Sequence, residues 1–376
     1  MRALSILTLA LGSLLLGCQD GGGGKEQPVA QAKDTQNGDK PLRVIELPQH
    51  PMLSAISHDG SMIVTANWGG IPTTLRLWDV GTGKALSPLQ FGDDSCSVAC
   101  LAFSRDGTRV LAGLGSEKSR VSVFDTASGK KLCEFPHYQC TAAFSSDGKQ
   151  VLTGGQGMMR LWSIETGKEV RSFAHVGNSA VDAVGFSSDG AIAFSRFGHE
   201  LVRWDAGTGK ELSRFSFGSP NNTYSVLFSN DDRAFTTHFK GEQISMWDLA
   251  TSKPRKVLRV DEPWDIRKLA DGYEFQESRN VQISADGKTA LSTIATVRVS
   301  FRKTQRKDGG TRVVEDFRTV RQKAALWDVE AEKIVRVISK SDSSYAVHLS
   351  GDGHTALVGL IGAKGAQFEV WDLRPR

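Results

Sequence analysis

The chain has 376 residues, of which 39% are hydrophobic, 23% charged and 8% aromatic, and its formal net charge is +4. This composition excludes a disordered protein, a multi-pass membrane protein and a coiled coil, and the charge is too small by itself to indicate nucleic-acid binding. Glycine contributes 39 residues, a share above the usual value of roughly 7%. Because no collagen period accompanies them, the glycines indicate many tight turns between short strands.

The N-terminus has the pattern of an export signal. Arg2 precedes an apolar run from Ala3 to Leu16, which is shorter than the ~20 residues that a membrane span needs. The Gly17-Cys18 that follows resembles the lipobox of bacterial lipoproteins, in which the cysteine becomes the first residue and carries the lipid. The resemblance implies a signal peptide over residues 1–17 and lipidation of Cys18. An ordinary signal peptide with a coincidental cysteine is the alternative.

Residues 18–41 are predicted to be a flexible tether, because they contain no aromatic and almost no aliphatic side chain. A tether of this length has a typical reach of roughly 25–30 Å. Gln19 stands where an aspartate would retain a lipoprotein at the inner membrane. The resemblance therefore implies an exported protein, anchored in the cell envelope at the outer membrane and facing the periplasm.

The remaining sequence, residues 42–376, repeats one unit seven times. Each unit begins with an apolar stretch that ends in a Ser-x-Asp turn, and the aspartates of these turns are Asp59, Asp106, Asp147, Asp189, Asp231, Asp286 and Asp352. Each unit continues to an aromatic residue, and these residues are Trp78, Phe124, Trp162, Trp204, Trp247, Trp327 and Trp371. A Thr-Gly-Lys-like turn follows most of these aromatic residues, as in Thr82-Gly83-Lys84.

One such unit reads as four antiparallel strands. Asp-Gly turns join antiparallel strands because glycine adopts positive φ without steric cost. Between the turns apolar and polar residues alternate, as in Leu75-Arg76-Leu77-Trp78, which indicates strands with one buried face. Four such strands form a sheet too thin to bury its own faces, so neighbouring units must stack on each other.

This pattern resembles the WD-repeat (WD40) family of β-propellers. The resemblance implies an all-β fold, a seven-bladed β-propeller with four-stranded antiparallel blades, over residues 42–376. Only four residues follow Asp372, so we expect residues 42–47 to supply the outer strand of the last blade and close the ring. The family's structural histidine is matched only by His50, His137 and His175, and its structural aspartate is absent from most blades. We therefore expect apolar packing to hold the blades together.

Two insertions interrupt the repeat at the sixth blade. The first, about Arg298–Lys323, holds nine Lys or Arg residues and three Asp or Glu residues, and its alternation indicates a projecting hairpin ribbon. The second, about Val260–Asn280, contains aromatic residues among charges. In the family both connections emerge on one face, and arginines and aromatics are enriched at interface centres. The candidate interaction residues are Trp264, Tyr273, Phe275, Arg298, Arg302, Lys303, Arg306, Lys307, Arg312, Arg318 and Arg321. The alternative is a solvated elaboration whose charges prevent aggregation.

Four cysteines remain after Cys18, and an exported protein permits three pairings among them. The resemblance places Cys96 and Cys140 near the starts of neighbouring inner strands, so it favours that disulfide, and reduced core thiols are the alternative. No Cys-x-x-Cys or His-x-x-x-His spacing predicts a metal site. No nucleophile–base constellation is visible either, because the Ser-x-Asp motifs recur seven times as turns.

The sequence therefore predicts a non-enzymatic interaction scaffold without cofactors. It is anchored by lipid, and its basic insertion is the docking site for envelope proteins or anionic envelope polymers. Nucleic acid is not expected as a partner of an exported protein. The alternative is a ligand-binding or catalytic propeller that uses loops around the central channel.

Overall fold

The structure is a computed structural model. It describes residues 40–67, 74–86, 88–89, 97–115, 119–136, 141–155, 157–174, 180–198, 200–216, 223–228, 233–238, 243–248, 251, 253–259, 267–269, 272–305, 311–339, 344–362 and 365–374. The chain divides into Met1–Lys40 and Pro41–Arg376, and every described strand belongs to the second unit. No helix in the described ranges is long and apolar enough to cross a membrane.

The described residues of the second unit form twenty-eight β-strands. In the first half of the chain the strands are β1 (Arg43–Glu46), β2 (Pro51–Ile56), β3 (Met62–Asn67), β4 (Leu75–Asp79), β5 (Ser97–Phe103), β6 (Arg109–Gly115), β7 (Arg120–Asp125), β8 (Lys131–Pro136), β9 (Thr141–Phe144), β10 (Gln150–Gly155), β11 (Met158–Ser163), β12 (Glu169–Ala174), β13 (Ala183–Phe186) and β14 (Ile192–Phe197).

The second half of the chain supplies an equal number of strands. They are β15 (Glu200–Asp205), β16 (Glu211–Ser216), β17 (Thr223–Phe228), β18 (Arg233–His238), β19 (Gln243–Asp248), β20 (Lys253–Arg259), β21 (Arg267–Leu269), β22 (Gly272–Ile283), β23 (Thr289–Gln305), β24 (Thr311–Asp328), β25 (Lys333–Ser339), β26 (Ser344–Leu349), β27 (Thr355–Gly362) and β28 (Gly365–Asp372).

Across the described part of the chain these strands form seven antiparallel sheets. We number the sheets in chain order: β2–β4, β5–β8, β9–β12, β13–β16, β17–β20, β21–β25 and β26–β28 with β1. Two sheets depart from the predicted four strands. The first sheet has three, and two isolated bridges, Leu75 with Leu89 and Trp78 with Ala85, stand at the position of a fourth. The sixth has five, because β21 adds to its inner edge.

The N-terminal strand completes the last sheet, as the sequence predicts. β1 pairs antiparallel with β28, with Ile45 opposite Phe368. Ile45 is 2% exposed and packs in one cluster with Phe368 and Trp78, which belong to the seventh and first sheets. Closure therefore joins the two ends of the repeat array by a hydrogen-bonded ladder and by a shared apolar core.

The sheets follow each other around a closed circle. The first strands of neighbouring sheets contact each other, except that β22 of the sixth sheet contacts the second strand of the fifth, β18, and β26 of the seventh sheet contacts β2 of the first. The seven hydrophobic clusters of the described residues lie between successive sheets. An aromatic residue of one outer strand packs on the tryptophan of the next sheet, as where Phe135 stacks on Trp162 with ring centroids 5.2 Å apart. Mutual burial between sheets is therefore what stabilises each one.

Five of the described tryptophans also make a polar contact within their own sheet. The indole N–H of Trp162 donates to Thr153 Oγ1 at 2.9 Å, and the same bond to a second-strand hydroxyl recurs for Trp78, Trp204 and Trp327. Trp371 donates instead to Glu369 Oε2 at 3.2 Å. Part of the family's polar network thus persists, even in the sixth sheet, which none of the three matching histidines precedes.

Candidate interaction surface

The sixth sheet extends beyond the length of its neighbours. Its strands β22, β23 and β24 have 12, 17 and 18 residues, whereas the corresponding strands of the fourth sheet have at most six. We define the extension as β21 with residues 272–276 of β22, 296–305 of β23 and 311–321 of β24. Within it, Ser300 lies opposite both Gly272 of β22 and Asp316 of β24. The two insertions of the sequence therefore form one continuous sheet.

One irregularity in strand pairing is specific to the sixth sheet. The register shifts between Thr296 and Val297 along β23, whereas no other pair of second and third strands has such a shift. The shift between Arg279 and Gln282 along β22 has counterparts in other sheets, as between Pro51 and Leu53. An extra residue in an antiparallel pair bends the strand and increases its local twist. The irregularity at Thr296 therefore lies where the extension begins.

The register separates the residues of the extension onto two faces, because neighbouring residues of a strand alternate between faces and paired residues share one. The arginine face carries Arg298, Arg302, Arg312, Arg318 and Arg321. The aromatic face carries Tyr273, Phe275, Val297, Val299, Phe301 and Phe317. Lys303 is the one predicted cationic residue on the described strands that lies on the aromatic face. Trp264, Arg306 and Lys307 lie outside the described residues.

The extension lies at one defined face of the ring. In the first four sheets the first strand runs to the Ser-x-Asp turn and the third strand to the Thr-Gly-Lys-like turn, so both turns occupy the same face, and the strands of the sixth sheet follow the same order. Connections into first strands and the turns between second and third strands occupy the opposite face. The β23–β24 connection and the start of β22 belong to that second group. We call it the extension face.

The N-terminal strand begins at the other face. The Arg43 guanidinium donates a hydrogen bond from Nη1 to the carbonyl oxygen of Thr82, which lies in the Thr-Gly-Lys turn of the first sheet, at 3.2 Å. Leu42, just before β1, therefore lies on the turn side. The polypeptide enters the propeller at the face opposite the extension.

An ion pair between a buried arginine and a partly exposed aspartate lies on the extension face of the fourth sheet. Arg196 Nη2 is 3.1 Å from Asp182 Oδ2, and the two side chains are 8% and 27% exposed. Arg196 also donates from Nε to the carbonyl oxygen of Gly198 at 2.9 Å. Burial raises the pKa of Asp182 to about 6, although the charge of Arg196 opposes this shift. The sequence analysis missed this pair, and the only signal was a charged residue in the mainly apolar strand β14.

The cysteines and the Ser-x-Asp motifs have structural roles where they are described. Cys100 and Cys133 pack against the cluster between the second and third sheets. Burial raises the pKa of Cys133 to about 11, so its thiol stays protonated and is a poor nucleophile. Cys18, Cys96 and Cys140 lie outside the described residues, so the lipid site and the disulfide stay predictions. Among the described side chains, no group of three or more His, Cys, Asp or Glu could hold a metal ion.

Comparisons with known proteins agree with this architecture. The family "WD domain, G-beta repeat" (WD40) matches residues 129–163, which run from the turn after Phe124 to the tryptophan of the third sheet and the serine after it. Autophagy-related protein 16 of Arabidopsis thaliana is 32% identical over 127 residues, which is 31% of this chain and 23% of that protein. A chain in the crystal structure of a mitotic checkpoint complex aligns with 97% of this chain and all of its own length, with 16% identity and a TM-score of 0.59.

The closed circle of antiparallel sheets and the structural match define the protein as a β-propeller. One repeat of the WD40 family is matched within this propeller, at residues 129–163. WD40 propellers are typically protein-interaction scaffolds. The chain spans about a quarter of the curated relative, so this comparison bears on the repeat rather than on that protein's activity.

Proposed function

We propose that the chain is a non-enzymatic interaction scaffold, exported and held by lipid at Cys18 in the bacterial cell envelope, that docks partners on the extension of the sixth sheet. The observation that carries the proposal is the continuity of the extension. Arginines from two strands occupy one face of a sheet that a hydrogen-bonded ladder joins to the ring. Cationic and aromatic residues of this kind are enriched at interface centres, and envelope proteins or anionic envelope polymers are the expected partners.

A variant with a shortened extension tests the docking site. Removal of residues 301–315 and connection of Ser300 to Asp316 through Asn-Gly keeps a two-residue hairpin turn on a pair that is already opposed. The variant loses Arg302, Lys303, Arg306, Lys307 and Arg312, but it retains the ladder with β22. We expect an unchanged thermal midpoint and loss of the partners captured by in-cell cross-linking.

The matched control is the triple variant Lys130→Gln, Lys168→Gln and Lys210→Gln. These lysines are exposed on Thr-Gly-Lys-like turns of the opposite face, so the control lowers the net positive charge without altering the extension. Cross-linked partners should persist in this control. Equal recovery of partners from the shortened variant and the wild type would rule out the extension as the docking site.

The lipid anchor has its own test. In Cys18→Ser we expect the protein to move from the membrane fraction to the soluble periplasmic fraction, because a membrane-stable attachment requires acyl chains. Mass spectrometry of the wild-type N-terminal peptide should show the acyl mass on Cys18. An unmodified cysteine in the mature protein would contradict the anchor while leaving the docking proposal intact.

The second candidate, a ligand-binding or catalytic propeller, has one observation in its favour. Asp182 combines burial with a pKa raised to about 6, a value suited to proton transfer near neutral pH. Thermal-shift measurements against sugars, divalent metals and nucleotides separate the candidates. A rise of several degrees that Asp182→Asn abolishes would favour the second candidate over the scaffold.

A further inference from the structure

The outer edge of the extension is an open strand edge. β24 pairs with β23 from Thr311 to Asp328, but it pairs with β25 only from Ala324 to Asp328. No other described strand lies beside residues 311–321. Backbone N–H and C=O groups on such an edge can template the pairing of another strand. The open stretch is about twice the mean strand length of 5–6 residues.

The strand register predicts which residues would lie beside a strand added to this edge. On the arginine face it would lie beside Arg312 and Arg318, which are six positions apart and flank Asp316. On the aromatic face it would lie beside Val313 and Phe317, which flank Glu315. Opposite charges and apolar pairs are favoured across strands. The edge therefore suits a segment with acidic residues six positions apart and apolar residues just inside them.

Charge disfavours a second copy of the chain as the occupant. The insertion at residues 298–323 holds nine Lys or Arg residues against three Asp or Glu residues. Two such edges brought together would oppose like net charges, whereas a segment with acidic ends would meet complementary charge.

We propose that residues 311–321 of β24 bind an extended, acidic segment of a partner protein, which adds as a further strand to the sixth sheet. Main-chain hydrogen bonds supply the affinity in this mode of recognition, and alternate side chains supply the specificity. The inference rests on the proposed function and names the kind of partner that the extension takes.

The probe is the fluorescently labelled peptide Glu-Val-Thr-Lys-Thr-Val-Glu, blocked at both ends. Its palindromic order presents a glutamate near Arg312 and near Arg318 in either strand direction. We expect saturable binding to the full chain by fluorescence anisotropy. Hydrogen–deuterium exchange should show protection of residues 311–321 on binding, with residues 289–296 unchanged. An analogue N-methylated at alternate backbone positions should bind at least about tenfold more weakly, because it keeps the charges but cannot complete the ladder.

A charge exchange tests the register. In the double variant Arg312→Glu and Arg318→Glu, binding of the peptide should weaken at least about tenfold. A peptide with lysine at both ends and glutamate at its centre should bind this variant better than it binds the wild type. The double variant Lys168→Glu and Lys210→Glu, with the same change in net charge on the opposite face, should bind the original peptide as the wild type does.

Three results would overturn the strand-addition proposal. The first is that the N-methylated analogue binds as tightly as the unmodified peptide. The second is that protection from hydrogen exchange maps outside residues 311–321. The third is that dextran sulfate binds at the extension while neither the glutamate-ended nor the lysine-ended peptide binds. The last result would assign the extension to an anionic polymer. Each of them leaves the docking function open, because that function is tested separately by partner recovery from the shortened variant.

Discussion

At the scale of single residues, buried serines hold the Ser-x-Asp turns. Ser145 Oγ donates to Asp147 Oδ1 at 2.6 Å and accepts the N–H of Gln150 at 3.0 Å, and the same two bonds recur in all six described turns. The hydrogen bond from Ser145, followed by the N–H of Lys149, lowers the pKa of Asp147. One hydroxyl therefore serves the carboxylate and the backbone at the same time.

Ser145→Ala should destabilise the protein by about 1–2 kcal/mol, because it leaves the buried N–H of Gln150 without its acceptor. Chemical denaturation of the variant and the wild type at pH 7 measures this difference. Ser146→Ala is the matched control, since this neighbouring serine is only partly buried, and it should change stability by less than about 0.5 kcal/mol. Equal effects of the two substitutions would contradict the role given to the Ser145 hydroxyl.

Asp182 gives a prediction with a defined sign in pH. Burial raises the pKa of the folded protein's Asp182 to about 6, above its ordinary value of 3.8. The folded state therefore binds this proton more tightly than the unfolded state. Its stabilising contribution is full below about pH 4 and is lost as the pH rises through about 6.

Asp182→Asn should remove this pH dependence, because the amide does not titrate. Relative to the wild type, the variant should gain about 1–3 kcal/mol between pH 4 and pH 7. Denaturation curves of both proteins at these two pH values provide the measurement. The same difference between variant and wild type at both values would show that Asp182 does not titrate in this range.

The sequence could predict the residues that repeat but not those that meet by tertiary contact. The Ser-x-Asp turns and the tryptophans are visible because seven copies align. Asp182 and Arg196 occur in one unit only, fourteen positions apart, and their pairing follows from the antiparallel register of β13 and β14. No repeat or short motif marks such a pair.

At the scale of elements, β1 is the strand that closes the propeller. Ile45 is its one buried residue, at 2% exposure, whereas Val44 beside it is 45% exposed. Ile45 pairs with Phe368 and packs on the core shared by the seventh and first sheets. One short strand therefore provides both the outer edge of the seventh sheet and part of the contact across the closure.

Ile45→Ala should cost about 2–4 kcal/mol, the usual range for truncation of a buried aliphatic side chain. Val44→Ala, one residue away on the exposed face of the same strand, should cost less than about 0.5 kcal/mol. Thermal unfolding of the two variants gives the comparison. A similar loss of stability in both variants would contradict the pairing register described for β1.

The extension shows the limit of prediction for an element. The spacing between repeat anchors predicts that two insertions exist, and alternation predicts that Arg298 and Phe301 lie on opposite faces. It does not predict that Tyr273 pairs with Val299, because those residues are separated by a complete Ser-x-Asp turn. The insertion at about Val260–Asn280 has no turn motif from which its pairing with β23 could be predicted. Pairing between the insertions follows from sheet topology, which local sequence does not encode.

At the scale of the whole molecule, the contact between the seventh and first sheets closes the ring. It contains the apolar cluster of Ile45 and a polar contact between inner strands, where His348 Nε2 lies 2.7 Å from Ser54 Oγ. Burial lowers the pKa of His348 to about 4, so the imidazole is neutral in the folded ring. Protonation of this ring would place an uncompensated charge in the closure.

His348 and Asp182 should act in opposite directions across the same pH interval. The unfolded chain protonates His348 near pH 6.5 and the folded chain near pH 4, so the contribution of His348 to stability is lost as the pH falls through this interval. The contribution of Asp182 is lost as the pH rises from about 4 through 6. Each shift corresponds to about 3 kcal/mol at full size. The wild type should therefore show a nearly flat stability profile between pH 4 and pH 6.5.

Single variants should separate the pH dependence of stability due to His348 from that due to Asp182. His348→Gln keeps a hydrogen-bonding group near Ser54 but does not titrate, so its stability should fall as the pH rises from 4 to 6.5. Asp182→Asn should become more stable over the same interval, and the double variant should return to a flat profile because the two sites belong to different sheets. Urea denaturation at half-unit pH steps measures all four profiles. Parallel profiles for the four proteins would show that neither group titrates in the folded ring over this range.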